Sequence, residues 1–140
     1  MQVLKYLIVI CSLIVFNSCN TSPKIHPADL NGYWEIEHVI LPDGTEHIYK
    51  VNQTVDFFKL NDSLKGYRQK MKPKENSNYI PVTDKEHIAI VKTNDSVYLH
   101  TKTAFSSWKE TILELNKNRL KVINHNNNVY VYKRYIPLNL

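Results

Sequence analysis

Cysteine, glycine and long apolar runs are scarce in this sequence, and each scarcity excludes a class of protein. The 140 residues contain two cysteines, Cys11 and Cys19, and three glycines. The main apolar stretch, residues 6–16, is shorter than the roughly 20 residues that a membrane-spanning helix needs. The Gly-x-Ser-x-Gly motif and histidines paired at metal-site spacing are also missing. We therefore expect a protein that is not an enzyme, with no catalytic residues, no bound metal and no cofactor.

The apolar stretch has the length of the hydrophobic part of a signal peptide. One basic residue, Lys5, precedes it, and a small residue, Ser18, follows it. The segment Phe16-Asn17-Ser18-Cys19 resembles a bacterial lipobox, in which a small residue precedes an obligatory cysteine. That resemblance implies cleavage after Ser18 and a diacylglyceryl thioether on Cys19, with further acylation by a chain such as palmitate.

These features predict the organisation of the whole chain. We expect a lipoprotein signal peptide over residues 1–18, a lipidated cysteine and tether over residues 19–27, and one folded domain over residues 28–140. Loss of Cys11 with the leader would leave a single capped thiol, which excludes an internal disulfide. The protein would then be anchored by lipid in the bacterial cell envelope, and we expect it at the outer membrane, on the periplasmic or the surface side.

The region after the tether has the composition and spacing of a strand-rich protein. It contains eight of the chain's nine tyrosines, with many Val, Ile and Thr residues, and helix signals are confined to a short turn at residues 27–32. Strand-length segments alternate with short polar turns from residue 33 to residue 135. An open sheet of that length would expose two edges, whereas closure removes them. The predicted fold is therefore an all-β, antiparallel up-and-down barrel of eight to nine strands.

A short motif at the first strand refines this prediction. Gly32-Tyr33-Trp34 follows the short turn and resembles the Gly-x-Trp motif of lipocalin and lipocalin-like proteins. The resemblance implies that Gly32 lets the chain turn into the strand and that Trp34 fills the closed end of the barrel. It also implies a basic residue from the last strand over the indole, and Arg134 is the candidate. We therefore predict that Gly32, Trp34 and Arg134 close the barrel together.

Alternation along the predicted strands gives a candidate interior. If Trp34 points inward, strict alternation places the next even-numbered side chains inward as well, and other strands add large aromatic residues. The lining would suit a small apolar or amphipathic ligand, although the same side chains would equally make a solid core. The tentative ligand-binding residues are Ile36, His38, Ile40, Phe57, Tyr67, Tyr130 and Tyr132.

Partners are constrained by a modest positive charge. The net charge is +5, and five basic residues lie from Lys65 to Lys74, where they favour a solvated hairpin or a contact with anionic lipid or a polyanion. No nucleic-acid motif is present, so we expect no nucleic-acid partner. The alternative to a ligand carrier is a solid barrel that binds an envelope protein or a polysaccharide through its loops, with residues 72–84 and the basic run before them as the binding surface.

Overall fold

The computed structural model describes residues 25–137 of the chain, which form one antiparallel sheet closed into a barrel. A 3-10 helix, Pro27–Leu30, precedes the first strand, and a second short one, Glu75–Ser77, lies between two strands. The strands are β1 (Gly32–Ile40), β2 (Glu46–Ile48), β3 (Val55–Leu60), β4 (Lys65–Pro73), β5 (Tyr79–Pro81), β6 (Glu86–Lys92), β7 (Val97–Lys102), β8 (Ser107–Leu115), β9 (Arg119–Ile123) and β10 (Val129–Arg134).

Closure comes from pairing between the first and last strands. β10 pairs antiparallel with β1 from Trp34↔Arg134 to Ile40↔Val129, and every other neighbouring pair in the wall is also antiparallel. The wall has eight positions, occupied in order by β1, β3, β4, β6, β7, β8, β9 and β10. The predicted all-β, up-and-down barrel is therefore confirmed, with two short strands in addition to the eight.

The two additional strands share wall positions with longer ones. β2 pairs with the second half of β1, on the same edge where β3 pairs with its first half. In the same way, β5 and β6 pair with successive parts of one edge of β4. Each of these wall positions is thus interrupted, once at residues 49–54 and once at residues 82–85. At the second interruption, the pairing of β4 with β6 ends at Arg68↔Glu86, and β4 pairs with β5 from Met71 onward.

The apolar core fills the end of the barrel where β1 begins and β10 finishes. Leu30 and Trp34 have no exposed surface, and Phe58, Leu99 and Leu120 are almost as deeply buried. Removing this surface from water supplies most of the favourable free energy of folding. Toward the other end, which we call the mouth, the buried side chains include polar ones, Asp56, Thr101 and Glu110.

A β-bulge in β1 corrects part of the predicted interior. The register of β1 against β10 shifts between Ile36 and His38, so Val39 rather than His38 pairs with Tyr130. Directly opposed side chains on paired strands share a face, and one extra residue moves all later side chains to the opposite face. Ile36 therefore packs against the core, as predicted. The inward placement of His38 and Ile40 is wrong, because both lie beyond the bulge on the outer face.

The predicted inward placement of Phe57 and Tyr67 is also wrong. Phe57 is paired with Tyr33, the outward neighbour of Trp34, and its ring contacts Tyr33 at 4.7 Å and Tyr67 at 5.9 Å between centroids. The ring of Tyr79 stacks on Tyr33 at 3.9 Å, so β5 and the end of β4 fold over the outer face of β3. An external aromatic cluster explains why apolar residues occupy both faces of β3.

Candidate functional site

The closed end of the barrel brings together the three residues that the sequence motif singled out. The guanidinium carbon of Arg134 lies 3.8 Å from the centre of the Trp34 ring, and the indole Nε1 of Trp34 donates a 2.8 Å hydrogen bond to the carbonyl of Leu30. Gly32 has a φ of +114°, and a Cβ built there would lie 2.9 Å from Nη1 of Arg134. The backbone conformation therefore favours glycine, and a side chain there would also displace the guanidinium of Arg134.

Arg134 also ties two other chain segments to this end through three hydrogen bonds. Its Nε donates to the carbonyl of Lys117 at 2.8 Å, its Nη1 to the carbonyl of Asn31 at 2.8 Å, and its Nη2 to the carbonyl of Asp29 at 2.6 Å. The planar fork of a guanidinium suits such divergent acceptors better than an ammonium would. The residues of the closed end therefore serve to hold the barrel together. The polar interior groups that a ligand could reach lie at the mouth.

A charged cluster lies inside the barrel near the mouth. Asp56 is 4 % exposed and accepts hydrogen bonds from two cations: Nε of Arg68 at 3.1 Å and Nζ of Lys70 at 3.3 Å. A second contact joins Nη2 of Arg68 to the same carboxylate at 3.1 Å, and Glu86 lies 3.9 Å from Nε of Arg68. Buried ions are costly unless they are paired in this way, so the cluster is a built feature of the interior.

Burial and neighbouring charges shift the ionisation of the groups around Arg68. Burial alone would lower the pKa of Arg68, but the carboxylate of Asp56 raises it overall, so the guanidinium is charged at every accessible pH. Burial raises the pKa of the Tyr132 phenol far above its usual value. Burial also raises the pKa of Glu110, and this increase exceeds the lowering by Arg68 and by a hydrogen bond with Trp108. The mouth therefore combines a permanent cation, a neutral phenol and a carboxyl that resists ionisation.

Two cavities open beside this cluster. One, of about 260 Å³, is lined by Arg68, Trp108, Glu110, Asn124, His125, Tyr130 and Tyr132. The other, of about 250 Å³, is lined by Asp56, Arg68, Lys70, Thr83, Glu86 and Trp108, and lies at the interruption between β5 and β6. Arg68 and Trp108 line both. Their volumes are close to the lower limit for small-molecule sites, roughly 300 Å³, so each of these two cavities can hold a small chemical group but not a bulky one.

Some buried polar groups in the upper half of the barrel are incompletely paired. Within residues 25–137, Oγ1 of Thr101 is fully buried and makes no hydrogen bond, although buried polar groups are normally satisfied. Glu110 is 8 % exposed and forms no ion pair within 4 Å in that same part of the chain. The Asn124 amide donates to the Tyr130 hydroxyl at 3.4 Å, a long contact.

Of the predicted ligand-binding residues, the structure brings together three at the inner face: Ile36, Tyr130 and Tyr132, which lie on adjacent strands. Tyr130 and Tyr132 line the larger of the two mouth cavities, while Ile36 packs against the core below them. His38, Ile40, Phe57 and Tyr67 lie on the outer face and do not join them. Cys19 lies outside the described residues, so its lipidation stays a prediction.

The charged half of the site was not predicted from the sequence. Arg68 and Lys70 belong to the basic run that was expected to be a solvated hairpin or a contact with a polyanion or anionic lipid, and Asp56 and Glu110 were not among the predicted site residues. The signal that could have found these residues is the alternation along each strand, in which residues two positions apart face the same side of the sheet. Glu110 has the same parity as Ile112, which belongs to the core, and Arg68 is paired directly with Phe58.

Among residues 25–137, no group of three or more His, Cys, Asp or Glu side chains has the arrangement of a metal site. None of the helices described there is long and apolar enough to cross a membrane.

Fold and site together define a class: an eight-stranded antiparallel up-and-down barrel, plugged at one end by an indole under a guanidinium and open at the other onto a polar interior. No family model and no curated sequence matches the chain. Two solved structures are similar to it, each covering 76 % of this chain and 99 % of its own. One is a lipocalin-like protein from Bacteroides uniformis, 11 % identical with a TM-score of 0.49. The other is an uncharacterized protein from Bacteroides eggerthii, 14 % identical with a TM-score of 0.48.

Proposed function

We propose that this chain is a non-enzymatic binding protein of the bacterial envelope that holds one small amphipathic molecule at the mouth of its barrel. The observation that carries the proposal is the interior polar cluster around Arg68, which lines two cavities above a solid apolar core. A protein that needed only a stable barrel would gain little from burying these ions, because well-packed apolar residues are at least as stabilising.

The size and lining of the cavities favour a particular mode of binding. The closed half is filled by Trp34, Phe58 and neighbouring side chains, so the barrel has no room to bury a long apolar tail completely. The aromatic side chains of Trp108, Tyr130 and Tyr132 surround the larger cavity and provide apolar contact beside polar groups. The polar group of the ligand would meet the interior charges, and its apolar part would lie against the aromatic rings of the mouth.

The lipid anchor belongs to the same proposal. Thioether-linked acyl chains at Cys19 would hold the protein on a membrane, since each buried methylene adds about 0.8 kcal/mol. Ile25, the first described residue, lies in a groove with Ser96 and Val97 beside the β6–β7 turn, at the closed end. A tether leaving there would orient the mouth away from the anchoring membrane, toward ligands in the aqueous space.

Native mass spectrometry tests ligand binding directly. The chain from residue 20 onward contains every strand that closes the barrel, and it would be incubated with an extract of envelope lipids. A single retained adduct, lost in Arg68→Met/Asp56→Leu, is expected. A barrel that stays empty and also fails to bind a fluorescent fatty acid or fatty amine would refute the proposal. Incorporation of labelled palmitate, lost in Cys19→Ala, separately tests the anchor.

A second candidate function is supported by exposed apolar side chains on β5 and the residues after it. Ile80 and Val82 are about half exposed, at 48 % and 47 %, although Tyr79 fixes this segment firmly against the barrel. Such residues favour contact with an envelope protein. Crosslinking in whole cells through Ile80 should trap a discrete partner; unchanged crosslinks after Ile80→Ser/Val82→Ser would contradict this alternative.

A further inference from the structure

One acidic side chain in the two mouth cavities has no ion pair. Arg68 and Lys70 line these cavities together with three acidic residues, Asp56, Glu86 and Glu110. Asp56 is paired with both cations, and Glu86 lies 3.9 Å from Arg68. Among the described residues, Glu110 is therefore the acid of these cavities that has no cationic partner within 4 Å.

The surroundings of Glu110 differ from those of a surface carboxylate. It is 8 % exposed, and among the described residues no Lys, Arg or His nitrogen lies within 4 Å of its oxygens. Three aromatic side chains, Trp108, Tyr130 and Tyr132, line its cavity, and the remaining lining comes from Arg68, which Asp56 neutralises, and from Asn124 and His125. Tyr132 is itself 7 % exposed. A buried acid beside three electron-rich rings is an arrangement that stabilises a cation by Coulombic and cation–π attraction together.

We propose that Glu110 and the aromatic rings around it recognise a cationic nitrogen, so that the ligand of the mouth is an amphipathic amine. This inference rests on the proposed function, because it names the ligand class of the same site. The ammonium group would lie in the larger cavity against the Glu110 carboxylate. The apolar part would extend past Trp108 and His125 toward solvent.

The burial of Glu110 implies that amine binding is coupled to the release of a proton. Without ligand, burial raises the pKa of Glu110, with Asp56 and Glu86 adding to the rise and Arg68 opposing it. The carboxyl therefore tends to hold a proton, which an entering ammonium would displace. Amine binding should release a proton at pH values below the raised pKa of Glu110, and amine affinity should increase as pH rises through that range. Tyr132, which faces the same cavity, stays neutral throughout.

Isothermal titration calorimetry with three matched probes tests the inference. Octylammonium, octanoate and octan-1-ol share one tail and differ in the charge of the head group. The chain from residue 20 onward should bind octylammonium most tightly. Titrations in two buffers of different ionisation enthalpy should show proton release with the amine only. Glu110→Gln should weaken octylammonium binding by roughly tenfold or more and abolish the proton release, while octan-1-ol binding stays unchanged.

The control variant is Glu114→Gln, on the same strand but outside the cavity, where the Asn116 amide donates to its carboxylate. It should leave all three affinities unchanged. Tighter binding of octanoate than of octylammonium would overturn the amine assignment while leaving the mouth as a binding site. An equal decrease in the affinity of all three probes in Glu110→Gln would do the same. Failure of every probe to bind would overturn the proposed function itself.

Discussion

Replacing Arg134 with alanine is expected to lower the free energy of unfolding by about 3 kcal/mol. The guanidinium donates to three backbone carbonyls, on Asp29, Asn31 and Lys117. Because the side chain is partly exposed, water replaces some of these bonds, and together they contribute about 2 kcal/mol. The contact with the Trp34 ring at 3.8 Å adds about 1 kcal/mol. The loss is large for one substitution near the protein surface.

Urea unfolding followed by tryptophan fluorescence provides the assay. Lys133→Ala is the matched control, because Lys133 is the preceding residue and its contact with Glu35, at 3.4 Å, is a half-exposed ion pair worth about 0–1 kcal/mol. Arg134→Lys should fall between the two, since an ammonium keeps the charge but cannot reach three divergent carbonyls. If Arg134→Ala costs no more than Lys133→Ala, the guanidinium does not hold this end of the barrel closed.

Three further predictions concern backbone approach, buried charge and pH. Gly66→Ala should prevent folding or cost several kcal/mol in urea unfolding, because its Cβ would lie 1.7 Å from the carbonyl oxygen of Lys59; a near-native midpoint would contradict the close approach of β3 and β4. Arg68→Met alone should destabilise by about 3–5 kcal/mol, since Asp56 would lose its better partner, and adding Asp56→Leu should recover most of that loss; additive losses would count against a paired interior. Because the folded-state pKa of Glu110 is raised, the native state binds more protons, so its contribution to stability is lost as pH rises from its ordinary pKa of 4.5 through the raised value. Glu110→Gln should be less pH-dependent than the parent in denaturation at pH 4 to 8, and identical profiles would argue against the shift.

The fold could be predicted from the sequence because strand signals are local. Turns rich in Asn, Asp and Gly separate segments of β-branched and aromatic residues, and this spacing alone favours a closed meander. What no local pattern showed was that β2 shares a wall position with β3, and β5 with β6, because sharing depends on which edge of a distant strand each one meets.

The candidate site was harder to predict, for two physical reasons. A bulge after Ile36 reverses the faces of His38 and Ile40, and a single inserted residue leaves no trace in an alternating pattern. The outer aromatic cluster also makes Phe57 resemble a core residue. Charged residues on strands normally face water, so the inward direction of Arg68 becomes evident only once its pairing with Phe58 is known.

The two tryptophans allow the central claim to be tested in one measurement. Trp34 lies at the closed end with its indole N–H bonded to Leu30, and Trp108 lines both cavities at the mouth. In a ¹H–¹⁵N spectrum each indole N–H gives its own signal, which Trp108→Phe assigns. Titration with octylammonium should move the Trp108 signal, saturating at one molecule per barrel, and leave the Trp34 signal in place. A larger movement of the Trp34 signal, or no movement of either, would contradict binding at the mouth.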